Sequence, residues 1–413
     1  MRILIVGTLY EPDLGPSAPL FTQLSQELVK RGHQVSVITT VPHYYSGRVA
    51  VGYRGFWHRR SREHGVDVLR IGLPSVDRSR LPLRLLQFLT YQVGAAVAGI
   101  TARCDVVIAG GPSLSVGLPF AVLAALRRKP AVYVVQDVYP DIGIKLGFFR
   151  HSAVIKLVTL METFCLRRAS TVQIISESFR PPLRRLGVPD RKMAFVPNWV
   201  DTEAIRPLPR DNGFSREHRL GDRFVVLYAG NMGFSQGLEH VLLAAEALAD
   251  QRDILFVLIG DGGSREALTA LAAARQIRNV LFLPFQPRGR LPEVLASADI
   301  SLVTLRCGLG FDSVPSKILS ILSSGRPILA GVDEDCEAWT LVRDAGAGVC
   351  VPPENPSALA RAILDLKSHR ALREEYGGRG RAWAERHHSP QGAARMFEDL
   401  LTRALQAGRA PEG

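Results

Sequence analysis

Short apolar, β-branched runs recur along the chain: "RILIVG" from residue 2, "QVSVITT" from 34, "DVLRIGL" from 67, "DVVIAGG" from 105, "AVYVVQD" from 131 and "TVQIIS" from 171. Amphipathic stretches of helical length separate most of them, such as 18–31, which closes at Gly32. Strand and helix in alternation predict a doubly wound parallel sheet. The pattern pauses over 196–223, which is rich in Pro, Gly and charge and lacks an apolar period, so a domain linker is expected there. It restarts with "FVVLYAG" at 224, "ILFVLIG" at 254, "VLFLPF" at 280, "ISLVTL" at 300, "PILAG" at 327 and "AGVCV" at 347, and the second half repeats the architecture of the first. The apolar stretch 81–100 carries Pro82, Arg84 and Gln87 and reads as a buried or interfacial helix rather than a membrane span. The segment 371–407 is helical in pattern, strongly charged and expected to pack back across the domains.

With 413 residues, 46% of them hydrophobic, the chain can fill two cores. A formal charge of +12 asks for an anionic partner: a nucleotide, a phosphorylated lipid, a membrane face or nucleic acid. Helix-turn-helix, RNP and zinc-knuckle signatures are missing, which argues against nucleic acid. The five cysteines are scattered without metal spacing, so they read as reduced thiols in a cytosolic chain. The start "MRILIVG" enters a strand directly, and a cytoplasmic protein in peripheral contact with the inner face of the membrane is expected.

Open α/β sheets bind ligands where strands turn into helices. In "YAGNMGFSQGLEH" (228–240), Gly230, Gly233 and Gly237 let backbone N–H groups approach an anion, although a purely structural turn fits equally. In "IGDGGSREAL" (259–268), a tight turn with Ser264 capping the next helix competes with a ligand loop at Gly260 and Asp261. The third candidate is "GFDSVPSKILSILSSGRP" (310–327), with Pro315 expected in the first helical position and Gly325 as the stop. Ile318, Leu319 and Leu322 would face the core, and Lys317, Ser320 and Ser324 would share the opposite face. A lysine in the first turn opposes the helix dipole by a few tenths of a kcal/mol, up to about 1. An anion held there reverses the sign, so Lys317 reads as a phosphate ligand that stabilises a departing nucleoside diphosphate. A solvated surface lysine is the competing reading.

Taken together, "KRGHQVSVIT", "YAGNMGFSQGLEH", "GDG", "DSVPSK", "SGRPILA" and "AGAGVCVPPENPSALARAI" resemble the GT-B glycosyltransferases of the large family 4. "VPHYYSGRV" at 41 and "VQDVYPDIGIKLG" at 135 are similar to its bacterial O-antigen, capsule and exopolysaccharide branch, which includes the fucosamine transferase. The resemblance implies two Rossmann-like domains facing across a cleft. The acceptor domain would be 1–203, the donor domain 204–384, and the helix 385–413 would pack back on the first. It implies sugar transfer from a nucleotide sugar to a polyprenyl-diphosphate-linked or growing glycan acceptor, with retention, without metal, and with no cofactor beyond the nucleotide-sugar substrate. A UDP-sugar is favoured, an N-acetylated aminosugar included.

The family's two glutamates, separated by seven residues, are replaced here by Asp312, for sugar hydroxyls, and Ser320, which offers the ribose one neutral hydrogen bond. Where many members carry a diphosphate-binding arginine and lysine, this chain has Asn231 and Gln236. Lys317, with Arg306, would then supply the positive charge, helped by the backbone of Ser313, Val314, Pro315 and Ser316 and by the loop at Gly15. Retention with the donor's own phosphate as proton acceptor needs no enzymic base. Inversion would need one, and His43, Asp137 and Asp141 are the candidates; Asp137 is assigned to orienting the acceptor. The nucleobase is expected near 285–288.

Asp333-Glu334-Asp335 could suggest a metal motif, but its place after a strand favours an acidic loop. The basic and aromatic residues of 53–62, and the basic and apolar ones of 78–90, suit an anionic membrane, or else solvated arginines over core rings. A nucleotide-sugar epimerase and a catalytically inactive subunit of the same fold remain as alternatives.

Overall fold

The structure, a computed structural model, describes residues 1–407 other than 14, 16, 44–47, 56, 77–80, 146, 148, 150, 312 and 313; the side chains of 81, 82, 84 and 407 are also outside the description. The chain divides into two compact units, Met1–Asn198 with Pro390–Gly413, and Trp199–Ser389.

The first unit holds an eight-stranded sheet formed by β1 (Arg2–Val6), β2 (Gln34–Thr40), β3 (His58–Glu63), β4 (Val66–Ile71), β5 (Val106–Gly110), β6 (Ala131–Val135), β7 (Thr171–Ile174) and β8 (Met193–Phe195). Their order is β3-β4-β2-β1-β5-β6-β7-β8, parallel except for the β3–β4 pair. The helices are α1 (Ala18–Lys30), α2 (Leu81–Thr101), α3 (Ser113–Phe120), which runs on as a π-helical turn to Leu126, α4 (Asp141–Lys145), α5 (Ser152–Arg168) and α6 (Arg180–Arg185). The central strands β5 and β6 are buried along their whole length, which is why they read as continuous apolar runs.

The second unit has six parallel strands, β9 (Phe224–Ala229), β10 (Ile254–Ile259), β11 (Val280–Leu283), β12 (Ile300–Thr304), β13 (Ile328–Gly331) and β14 (Gly348–Val351), in the order β11-β10-β9-β12-β13-β14. Its helices are α7 (Gly213–Glu217), α8 (Leu238–Ala247), α9 (Arg265–Ala274), α10 (Leu291–Ala296), α11 (Lys317–Ser323), α12 (Glu337–Asp344), α13 (Pro356–Ser368) and α14 (Arg370–His387). One core cluster lies on each face of this sheet. The last helix, α15 (Pro390–Ala407), belongs to the first unit and packs on α1. There Glu398 accepts hydrogen bonds from Arg31 and lies 2.9 Å from Nε2 of His33.

Each sheet reverses direction once, between β1 and β5 in the first unit and between β9 and β12 in the second. Loops diverge at such a switch point, leaving room for a ligand at the carboxyl ends of the strands. In the second unit α11 is held there by α14, whose Gly377 lies against Gly325 at the end of α11. A Cβ at 377 would sit 2.2 Å from the Gly325 carbonyl oxygen. Gly377→Ala therefore overpacks a backbone contact and is expected to cost about 1–3 kcal/mol, measured as a lower midpoint in urea unfolding.

Candidate functional site

In the second unit the turns after β9 and β10 are joined backbone to backbone. Gly230 N–H donates to the Ile259 carbonyl at 2.9 Å, Met232 N–H to Asp261 at 2.8 Å and Ser264 N–H to Met232 at 2.9 Å. Gly260 sits at φ +148°, and a Cβ there would fall 1.8 Å from the Gly230 oxygen, so no side chain fits. The Asp261 carboxylate accepts from the Gly262 N–H at 2.8 Å. Ser264 stands at the start of α9 without a side-chain cap bond, which corrects the expected capping role. Gly237 takes the left-handed conformation, φ +57°, at the start of α8. Asn231 is exposed, and Gly233 lies so close to it that a Cβ would be 2.7 Å from Asn231 Nδ2.

The helix α11 begins at Lys317, with Ser316 as its N-cap, so Pro315 precedes the helix rather than opening it. Gly325 follows the helix at φ +67°, as expected of the stop. Ile318, Leu319, Ile321 and Leu322 are buried. Ser324 is buried too, because its hydroxyl donates to the Ile321 carbonyl at 2.7 Å; it does not share an open face with Lys317 and Ser320. Ser320 is half-buried one turn into the helix, Val314 and Pro315 are half-buried and Ser316 is exposed. Asp312 and Ser313 lie outside the described residues.

The Lys317 ammonium folds back onto β9. Its Nζ lies 3.7 Å from the centre of the Tyr228 ring and donates to Gln236 Oε1 at 3.2 Å. Gly230 makes room for it: a Cβ there would be 3.1 Å from Nζ. Among the described residues no carboxylate pairs with this ammonium, and burial pushes its pKa down from 10.5 to about 7. The Tyr228 hydroxyl, whose pKa burial raises, donates to the Asn231 carbonyl at 2.5 Å and approaches Gln236 Oε1 at 3.2 Å. The single tyrosine proton goes to the Asn231 carbonyl, and the Gln236 amide oxygen accepts from the lysine.

Arg306 follows β12 and has a different environment. Its guanidinium stacks on Phe234 at 4.0 Å, donates to the Phe234 carbonyl at 2.8 Å, and pairs with Glu239 and with Glu354. Its charge is already matched, and it ties the loop after β12 to the loop after β9. The loop 308–310 is anchored in turn by Asp333, which accepts from the Gly308 N–H at 2.9 Å and the Gly310 N–H at 3.1 Å. That is the acidic-loop reading of 333–335, with a specific task.

In the first unit Gly15 is buried in the turn before α1, where its carbonyl accepts from the Ala18 N–H at 3.1 Å. Asp137 stands two residues past β6, half-buried, beside Gln136, which exchanges two amide hydrogen bonds with Asn198. Asp141 opens α4 and pairs with Arg185 at 3.3 Å. His43 receives more support: the buried Asp13 carboxylate accepts its backbone N–H at 3.0 Å and lies 3.5 Å from its Nδ1. Glu162 of α5 is buried, accepting from Tyr133 Oη at 2.9 Å and from the Ser113 N–H at 2.9 Å; burial raises its pKa and these bonds oppose the shift.

Two family models match the chain: "Glycosyl transferase 4-like domain" over residues 17–199 and "Glycosyl transferases group 1" over 210–383. The chain is a group 1 glycosyltransferase. WcaI of Escherichia coli (strain K12), assigned provisionally as a colanic acid biosynthesis glycosyl transferase, is 29% identical over 92% of this chain and 96% of its own length. Sucrose-phosphate synthase from Thermosynechococcus elongatus superposes with a TM-score of 0.76 at 16% identity, over 98% of this chain and 100% of that one. HepE from Anabaena, solved with UDP and glucose, superposes at 0.73 and 15% identity, over 97% and 99%. These likenesses show that the glycosyltransferase has the GT-B fold.

Two residues escape sequence reading, one in each unit: Tyr228 of the second is hidden inside an apolar strand run, and Glu162 of the first within a helix whose charges are otherwise basic. The spacing of Tyr228 and Gly230, two residues apart at the end of β9, is the one signal that could have placed an aromatic ring beneath the turn after β9.

The lysine carries a pH signature. Its folded pKa lies below that of an unfolded lysine, so between about pH 7 and 10.5 the unfolded chain binds more protons. Stability contributed by this group is lowest below pH 7 and rises across that window. Lys317→Met is expected to flatten the rise in pH-dependent urea unfolding of the ligand-free glycosyltransferase.

Proposed function

We propose that the chain transfers a sugar from a UDP-sugar, an N-acetylated aminosugar being favoured, to a lipid-linked or growing glycan acceptor in surface polysaccharide assembly, with retention and without a metal. The single observation that carries this reading is the desolvated Lys317 ammonium, which faces no carboxylate among the described residues beside two turns that bring their backbones close. A diphosphate arriving there supplies the missing anion, and the ammonium then stabilises the leaving group where charge develops. The colanic acid relative supports the pathway class, and the UDP complex of HepE supports the nucleotide.

In this proposal the second unit holds the donor and the first the acceptor. The turns at Gly230–Gly237 and Gly260–Asp261 and the backbone of 313–316 line the donor; Asp312 takes sugar hydroxyls and Ser320 the ribose. Asn231 flanks the diphosphate, and Gln236 positions Lys317, with which it shares a hydrogen bond. Arg306 acts by fixing the loop through Glu239 and Glu354. Phe285 to Arg288 follow β11 and are assigned to the base. Asp137 orients the acceptor hydroxyl while a donor phosphate oxygen takes its proton. The inner membrane face is the proposed place of action.

Calorimetric titration of UDP, GDP, dTDP and ADP tests this. UDP is expected to bind best, and Lys317→Ala to weaken it by about 1.5–3 kcal/mol, as for a hydrogen bond to a charged group. Near pH 8.5 the bound diphosphate recharges a lysine that is neutral in the free protein, so binding takes up a proton, measured in buffers of different ionisation enthalpy. No diphosphate binding, or an unchanged affinity in the variant, contradicts the site; an inverted product anomer by NMR contradicts the base-free route.

A further inference from the structure

One face of the first unit is built unlike the rest of its surface. Helices α2, α3 and α5 lie side by side, α2 against β2 and β4 and α3 against β1 and β5, while α1 and α15 form the other layer. Along α2 the residues Leu86, Leu89, Val93, Val97 and Ile100 fall on one helical stripe and are all exposed, while Gln87, Tyr91, Gln92 and Ala95 face inward. Leu157, Leu160 and Phe164 make a second exposed stripe on α5, with Leu160 at 68% exposure. Leu118 and Leu126 stand between them, at 44% and 73%. The opposite layer shows one such residue among those described, Met396. A contiguous apolar face on this scale marks a contact surface.

The charges around it share one sign. In the sequence of α2, α3 with its π-helical turn, and α5, every residue charged at neutral pH other than Glu162 is basic, and Glu162 is buried. Basic residues stand at the end of each segment, Arg103 after α2, Arg127, Arg128 and Lys129 after the π-helical turn, and Arg167 with Arg168 in the last turn of α5, ahead of β5, β6 and β7. Parallel strands place those ends on one edge of the sheet. Two of the arginines also brace the layer: Arg127 donates to the Gly99 and Ala102 carbonyls, and Arg168 to that of Ala124. Asp105, the acidic residue nearest them in sequence, is paired with Arg2.

We propose that the α2–α3–α5 face seats the first unit on an anionic lipid bilayer, the apolar stripes entering the interface and the basic edge meeting the headgroups. The like charge around the face disfavours a second copy of this chain as its occupant and favours a negative surface. No described helix is long and apolar enough to cross the membrane, so the contact lies in the plane of the interface. Of the expected stretch 78–90, residues 78–80 lie outside the described residues; the described face runs from Leu85 to Ile100 and onto α5. It owes little to Tyr53, whose ring is held between Arg59 and Arg70. The inference stands apart from the donor site, which lies in the other unit.

Flotation of the full chain with phosphatidylcholine vesicles, with and without phosphatidylglycerol, tests it. The wild type is expected to float with the anionic vesicles and to be released by salt. Val93→Glu with Leu160→Glu should abolish flotation, and replacing Arg103, Arg128 and Lys129 by glutamine should weaken it about fivefold per charge. Far-ultraviolet circular dichroism and the urea unfolding midpoint of each variant report an intact first unit independently of lipid and of UDP binding. Absence of flotation overturns the proposal, as does equal flotation of the glutamate variant. So does a wild-type dimer that this variant splits, seen by light scattering, because a second copy would then cover the face.

Discussion

A half-buried lysine whose ammonium sits over an aromatic ring, with no carboxylate partner among the described residues, is the constraint around which the second unit is arranged. A desolvated cation over a tyrosine face gains about 2 kcal/mol, less than the loss of hydration that lowers its pKa to about 7. The arrangement holds because its surroundings are fixed for other reasons. Tyr228 is locked by its bond to the Asn231 carbonyl, Gly230 leaves space for the ammonium, and Gly260 lets the two turns meet at backbone distance. The ion pairs of Arg306 and the Asp333 anchor hold the neighbouring loop. In the proposed function, a cation held this way without a carboxylate partner among the described residues is preorganised for the donor diphosphate, and reorganises little when negative charge builds there.

The sheets explain where that site lies. Strand order reverses between β9 and β12, so the loops bearing Lys317 and Gly230 emerge side by side at the carboxyl ends. The first unit repeats the device between β1 and β5, where the loop containing Gly15 emerges, with the Asp13–His43 contact between the ends of β1 and β2. Both units therefore offer a strand-end site, while the outward apolar face of the first lies on its helices. Chemistry and docking are drawn from different layers of the same fold.

Much of this was legible in the residues. All twelve apolar runs became strands, because buried parallel strands are apolar from end to end. β3 escaped since "HRRSRE" is an edge strand, largely exposed and paired only with β4, and β8 since three residues carry no pattern. Gly230, Gly237 and Lys317 stood out as loop and charge. Their partners did not: Tyr228 looks like any strand aromatic, and Gln236 shows its value only when its amide oxygen accepts from the lysine. Ser324 was misplaced because a serine that bonds its own helix backbone can be buried like an alanine, so polarity alone misjudged the face.

The most direct measurement is an NMR titration of the Lys317 side chain in selectively labelled protein, free and with UDP. The midpoint is expected near pH 7 in the free protein and should move up by more than two pH units when the diphosphate neutralises the site. A midpoint near 10.5 that UDP leaves unchanged would mean that this lysine is solvated and that its charge has no part in binding the donor.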